Sequence, residues 1–181
     1  LIILDHITEV QIASVPKFKG LIINVRHDTV MLPDGRQAQR EVVEHPGAVA
    51  VVPITEDGKI VLVRQYRQAV GKVLLEIPAG KMNKGENPDD CVRRELLEET
   101  GFMAGIIQPL MPVYTAPGFT DEMIYLYIAK KLTYHGQRTD EDEFIGVEEY
   151  SPAEIKAMLR RRQITDAKTA VALMLLEMSH E

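Results

Sequence analysis

The stretch Gly80–Phe102, GKMNKGENPDDCVRRELLEETGF, decides how the chain is read. Asn87 is a good N-cap, Pro88 suits the first helical position, and Asp90 is placed to complete a capping box. A helix is therefore expected over Asn87–Thr100, with Val92 and Leu96 on its apolar side and Gly101 as its stop. Glu95, Glu98 and Glu99 stand at i, i+3 and i+4, which puts three carboxylates on one side of that helix. Like charges at this spacing repel by about 0.3 kcal/mol per pair even when exposed. Arg94 can relieve Glu98 one turn on, but nothing in the sequence obviously relieves Glu95 with Glu99. A hard divalent cation would, because Mg²⁺ takes oxygen ligands and combines a few carboxylates with phosphates and water. Glu86 is a fourth acidic candidate, and Gly80 permits a tight bend that aims the Ala79 carbonyl at the same place. The pattern alone leaves two readings open, a solvated acidic helix face and a cation site.

Before this stretch, AVAVVPI (Ala48–Ile54) and KIVLVRQYR (Lys59–Arg67) flank Asp57-Gly58, a hairpin signal. LLEIPAG (Leu74–Gly80) reads as a short strand ending in a glycine loop. Earlier still, Leu21–Val25, Thr29–Leu32 and Gln39–Glu44 read as strands around the turn Pro33-Asp34-Gly35. They form a small antiparallel unit, too small to be stable alone. Beyond the helix, strands are expected near Ile106–Tyr114, Glu122–Lys131 and Phe144–Glu149, with the polar loop Thr115–Asp121 between the first two. Ser151-Pro152-Ala153-Glu154 opens a capped helix, and a last helix spans about Ala167–Ser179. The class is α+β, a mixed sheet with helices packed around it.

A chain of 181 residues with 45% hydrophobic and 27% charged residues has the composition of a globular domain rather than a disordered segment. Its 21 Lys+Arg against 27 Asp+Glu, a formal charge of -6, argue against a nucleic-acid scaffold but not against a locally basic ligand site. The single cysteine, Cys91, excludes an internal disulfide and a thiolate metal cage. No apolar run reaches a membrane-spanning length, and LIILDHITEV lacks the layout of a signal peptide, so a cytoplasmic location without membrane contact is expected. His6, His27, His45, His135 and His180 show no zinc spacing and are read as ordinary polar residues.

The segment resembles the Nudix hydrolase signature, G-x5-E-x7-R-E-U-x-E-E-x-G-U with U a bulky apolar residue. Gly80, Glu86, Arg94-Glu95-Leu96, Glu98-Glu99 and Gly101-Phe102 meet every specified position. Residues outside it resemble the ADP-ribose pyrophosphatase group. They are RQYR at Arg64–Arg67, EIPAG at Glu76–Gly80, REVVEHPGAVAVV from Arg40, and Pro117 sixteen positions after Gly101. The resemblance implies a Nudix fold, a mixed β-sheet core sandwiched between helices. It also implies an N-terminal β unit over residues 1–45 and a catalytic domain over residues 46–181.

By the same resemblance, Glu95 and Glu99 are the central metal ligands, with Glu98 and the Ala79 carbonyl contributing and Arg94 orienting the carboxylates. Arg67 and Arg40 are similar to arginines that meet the diphosphate and terminal phosphate. Glu122 is similar to an acidic residue on the terminal-ribose or metal-water side, and Gly118 lies in the substrate loop. Glu76 touches the adenine amino group or serves the fold. Glu141 is the implied base and Glu143 an auxiliary ligand, though the local DEDE run leaves the two roles exchangeable. The implied reaction splits ADP-ribose into AMP and ribose 5-phosphate with two or three Mg²⁺ ions, or Mn²⁺. The alternatives are a pyrophosphatase for another nucleoside diphosphate sugar or dinucleotide, and a nucleotide-sensing regulator that keeps the fold. No nucleic-acid partner is expected. A homodimer is implied, its N-terminal unit packed across the two-fold axis.

Overall fold

A computed structural model describes residues 6–139 and 141–178 of the chain. They divide into two compact units, one built from residues up to 47 together with 114–123, the other from 48–113 with 124 onward.

The first unit holds a three-stranded antiparallel sheet in the order β1-β2-β3, with β1 at Val10–Lys19, β2 at Asn24–Met31 and β3 at Gln37–Glu44. The turn between β2 and β3 closes through the Leu32 N–H on the Arg36 carbonyl at 2.8 Å. Two expectations change here. The expected strands Leu21–Val25 and Thr29–Leu32 fall on one strand, β2, with Leu21–Ile23 in the turn before it, closed by the Gly20 N–H on the Ile23 carbonyl at 2.9 Å; β1, expected only as extended chain, is a strand of its own. β1 gives no period-2 signal for a physical reason. All ten of its residues are exposed, and its pairing with β2 shifts register between Gln11 and Ala13 and again between Pro16 and Phe18. The segment 114–123 joins this unit through the Val43 N–H on the Phe119 carbonyl at 2.7 Å and the Asp121 N–H on the Val43 carbonyl at 3.2 Å.

The second unit carries β4 (Ala48–Pro53), β5 (Ile60–Arg67), β6 (Lys72–Glu76), β7 (Ala79–Lys81), α1 (Pro88–Thr100), β8 (Phe102–Tyr114), β9 (Met123–Tyr134), β10 (Ile145–Tyr150), α2 (Pro152–Arg160) and α3 (Ala167–Met178). Ser179, the expected end of the last helix, lies outside the described residues. One sheet runs β7-β4-β9-β8, with β4 parallel to β9 and antiparallel to β7; the other runs β10-β5-β6. All six β4 residues are buried, as a strand covered on both faces requires. Ala48, Ala50 and Val52 pack in a core with Ile155 of α2 and Ala172, Leu173 and Leu176 of α3. Val49 and Val51 pack instead with Cys91, Val92 and Leu96 of α1. Sheet residues are thus sandwiched between helices, the α+β arrangement expected. Full burial of a side chain such as Leu96 contributes about 2 kcal/mol.

Helix α1 starts at Asn87, whose side chain accepts the Asp89 N–H at 2.9 Å rather than forming the expected box with Asp90. It stops at Gly101, which has φ 77° and donates its N–H to the Leu97 carbonyl. A side chain at Gly101 would also strike the backbone N of Gln137, with the added Cβ at 2.6 Å. The capping box expected on α2 is present, between Ser151 and Glu154. No helix among the described residues is long and apolar enough to cross a membrane.

Candidate carboxylate centre

Helix α1 turns Val92 and Leu96 into the core, and the same side carries Glu99, which is only 3% exposed. A carboxylate this enclosed needs a partner. Glu99 Oε2 accepts the Ala79 N–H of β7 at 2.9 Å. One residue on, the Glu95 carboxyl lies directly on Gly80, where an added Cβ would stand 1.9 Å from Glu95 Cδ. Gly80 is not among the residues with positive φ. Glycine is therefore required at position 80 for close approach and not for the tight bend expected from the sequence.

Arg94 gathers the neighbouring carboxylates. Its Nε and Nη2 donate to Glu86 Oε1 and Oε2, both at 2.9 Å, while Nη1 donates to Glu95 Oε1 at 2.6 Å and Glu98 Oε2 at 2.9 Å. Glu95 therefore has a counter-charge that helical spacing did not reveal. These bonds and the Asn83 N–H hold Glu86 down at about 2. Glu99 behaves oppositely. Burial pushes it up to about 8 against the pull of the Ala79 N–H, and the charges of Glu95 and Glu143 add to the rise. Glu95 is also raised, by burial first, with Arg94 opposing and Glu98 and Glu143 adding. The field of Glu143 thus reaches both central carboxylates. Glu141 lies exposed in the preceding turn.

One guanidinium stands among Glu86, Glu95 and Glu98, with Glu99 and Glu143 in electrostatic reach. The donors are all oxygens and carry surplus negative charge, which suits a hard divalent cation. Cys91 is no competitor, since burial pushes its thiol up to about 12. In the arrangement seen, no three His, Cys, Asp or Glu side chains among the described residues converge into a metal-holding group. Glu95 and Glu98 turn to Arg94, and Glu99 turns to Ala79.

Arg67 and Glu76 are brought together. Arg67 Nε and Nη2 donate to Glu76 Oε1 and Oε2, both at 2.8 Å, and Glu76 is 1% exposed. Lys168 of α3 also donates to Glu76 Oε2 and stands 3.1 Å from Asp166 Oδ2. Burial pushes the Glu76 carboxyl up, but Arg67 and Lys168 together hold it below its ordinary value of 4.5. The charge of Arg67 is felt at Glu99, tying this network to the carboxylate centre.

Arg40, Gly118 and Glu122 belong to the first unit. Arg40 pairs with Glu9, its Nε donating to Oε2 at 3.0 Å. Gly118 sits in a turn closed by the Thr120 N–H on the Ala116 carbonyl, where an added side chain would meet nothing within 4 Å. Glu122 Oε2 accepts the Thr115 hydroxyl at 2.7 Å, and its Oε1 lies 3.5 Å from His45 Nδ1. That nitrogen also lies 3.1 Å from the Gly47 N–H.

Lys168 and His45 are the residues that sequence reasoning missed. Lys168 stands 92 positions from Glu76 with no motif around it, and His45 gave only a lone histidine. The Asp166-x-x-Thr169 cap was the sole local hint that the start of α3 carries polar groups facing inward.

Because Glu76 titrates below its ordinary value, it stabilises the fold above about pH 4.5. That contribution is lost as pH falls through the lowered value. Glu76→Gln should therefore reduce stability at pH 7 by on the order of 3 kcal/mol and flatten the acid limb of the stability profile. Urea titrations of both proteins from pH 3 to 8 check this, and parallel acid limbs would contradict it.

Residues 44–171 match the family described as NUDIX domain. The chain is 40% identical over 177 residues to a Bacillus subtilis (strain 168) protein named ADP-ribose pyrophosphatase, covering 97% of this chain and 96% of that one. It is 43% identical over 163 residues to a Bacillus methanolicus protein named methanol dehydrogenase activator, covering 89% and 88% of the two chains. A crystal structure of an ADP compounds hydrolase shares the fold with a TM-score of 0.84, covering 94% of this chain and 93% of the other at 22% identity, a likeness of fold alone. The family match spans most of the chain and contains the whole Glu86–Gly101 carboxylate arrangement, so the chain belongs to the Nudix family.

Proposed function

We propose that the protein is a Nudix hydrolase that splits ADP-ribose into AMP and ribose 5-phosphate, with two or three Mg²⁺ or Mn²⁺ ions per site. The observation that carries the chemistry is the crowding of Glu95 and the buried Glu99 on β7, with Glu143 in their field and Arg94 the one guanidinium bonded to Glu86, Glu95 and Glu98. The substrate is the one named by the relative that matches nearly the whole chain.

Glu95, Glu98, Glu99 and Glu143 hold the cations, with the Ala79 carbonyl completing the set. When bound, the cations lower the pKa of a water and offset charge on the phosphate oxygens. Arg94 orients Glu95 and Glu98 through its hydrogen bonds. Glu141 takes the proton of the attacking water; a phosphorus–oxygen bond forms, the diphosphate bridge breaks, and the bridging oxygen leaves with its phosphate. Arg67 offers planar, charge-assisted donors to the diphosphate. Arg40, Gly118 and Glu122 serve the terminal phosphate and ribose, and Glu76 serves the fold as the buried partner of Arg67 and Lys168. A second copy of the chain completes the assembly. Its rationale is the ten-residue edge strand β1, wholly exposed and carrying Val10, Ile12, Val15 and Phe18, each at least 47% exposed. An apolar sheet edge of this kind needs cover.

Products from a panel of nucleoside diphosphate derivatives in Mg²⁺ test the reaction. ADP-ribose should give AMP and ribose 5-phosphate with the highest kcat/KM, and no turnover of ADP-ribose would sink the reading. Glu99→Gln should lose at least about 100-fold in kcat and also the rise in thermal midpoint that Mg²⁺ gives the parent protein. Glu141→Gln should lose about 10²–10⁴-fold in turnover with metal affinity kept, whereas Glu143→Gln should weaken metal affinity. The reverse pattern would exchange their roles. Light scattering should give twice the chain mass of 20.4 kDa, and an active species at the single-chain mass would remove the dimer.

A further inference from the structure

Glu76 is enclosed to 1% exposure, yet its one negative charge is met by two cations. Both reach the same oxygen. Arg67 Nη2 donates to Oε2 at 2.8 Å, and Lys168 Nζ donates to it as well. The two cations differ in how firmly they are kept. Lys168 is 11% exposed, sits in the first turn of α3, and is tethered a second time by Asp166 Oδ2 at 3.1 Å. Asp166 is itself fixed, accepting the Thr169 N–H at 3.0 Å and the Thr169 hydroxyl at 2.5 Å, and Thr169 Oγ1 accepts the Ile77 N–H at 2.9 Å. Arg67 ends β5, is 38% exposed, and has Glu76 as its hydrogen-bond partner. Its guanidinium is therefore the partner able to leave.

Removing the only counter-charge from a buried carboxylate is strongly unfavourable, whereas removing one of two is not. With Lys168 in place, Arg67 can turn from Glu76 to another anion while Glu76 stays paired. Without Lys168, Arg67 is locked to Glu76. The geometry points to Lys168 as a positioning residue that holds the Glu76 carboxylate so that Arg67 can be lent to a phosphate oxygen of the bound diphosphate. This rests on the reading of Arg67 as a diphosphate contact.

The test compares the full-length protein in Mg²⁺ with Lys168→Met, Lys168→Arg, Glu76→Gln, the double variant Glu76→Gln/Lys168→Met, and Arg67→Met. Three quantities are read: KM and kcat for ADP-ribose, the calorimetric Kd for ADP as a diphosphate probe that needs no turnover, and the thermal midpoint. Lys168→Met should raise KM and the ADP Kd by roughly tenfold or more, the worth of a charged hydrogen bond, with kcat changed far less. Lys168→Arg should restore both. In the Glu76→Gln background nothing locks Arg67, so adding Lys168→Met should leave KM and Kd unchanged. That comparison remains decisive if Lys168→Met alone does not fold. A lower thermal midpoint with unchanged Kd in Lys168→Met would overturn the proposal and leave a structural role only. So would a further rise in Kd on adding Lys168→Met to Glu76→Gln. If Arg67→Met leaves the ADP Kd unchanged, the diphosphate role of Arg67 fails and the Lys168 proposal with it. If Arg67→Met raises Kd and Lys168→Met does not, only the Lys168 proposal fails. Loss of ADP-ribose turnover in the parent protein would overturn the substrate and leave the ADP comparison standing.

Discussion

Two carboxylates of one helix pressed against the backbone of one short strand set the terms for everything around them. Glu95 occupies the space over Gly80 where any other residue would carry Cβ, and Glu99 takes the Ala79 N–H. Helix α1 can meet β7 in this way only at one rotation and one height. Val92 and Leu96 fix both by packing with Val49 and Val51 of β4. The apolar side of the helix thus aims the acidic side. Enclosing Glu99 among like charges costs stability, the usual trade where a fold keeps a reactive constellation in place.

The second unit manages buried charge in two ways. Around Arg94 the balance is left negative. Around Glu76 the formal charges of Arg67, Lys168, Glu76 and Asp166 sum to zero, and Glu76 and Lys168 each have two partners within the set. Desolvation makes the second pattern tolerable deep in the core and the first pattern useful where an external cation supplies what is missing. The two patterns meet at Arg67, whose charge lowers the proton affinity of Glu99.

Local chemistry made α1 legible. Asn87, Pro88 and Gly101 bracket the helix, and the spacing of positions 95, 98 and 99 fixes their common side. β4 was legible because AVAVVP is apolar at every position and is buried at every position, whereas Leu74–Gly80, read as one strand, is split into β6 and β7 of different sheets. β1 was not, because alternation is the strand signal and a strand exposed on both faces with two register breaks has none. The site was legible where its members share a helix. It was opaque where they converge through space, as Lys168 does on Glu76 and as Arg94 does in reaching back to Glu86. Gly80 was noticed for a wrong reason, because a glycine in a sequence does not tell whether the backbone or the space beside it demands one.

Cys91 gives the protein an internal gauge. It is the chain's only thiol, fully enclosed in the first half of α1 beside Arg94, with ionisation suppressed to about 12. A closed helix therefore presents almost no thiolate to an alkylating reagent at neutral pH. Modification can proceed only through those moments when α1 lifts from the sheet, so the labelling rate measures the local opening equilibrium of the very element that carries the carboxylates. The chain reports the integrity of its acidic centre through a residue that takes no part in its chemistry.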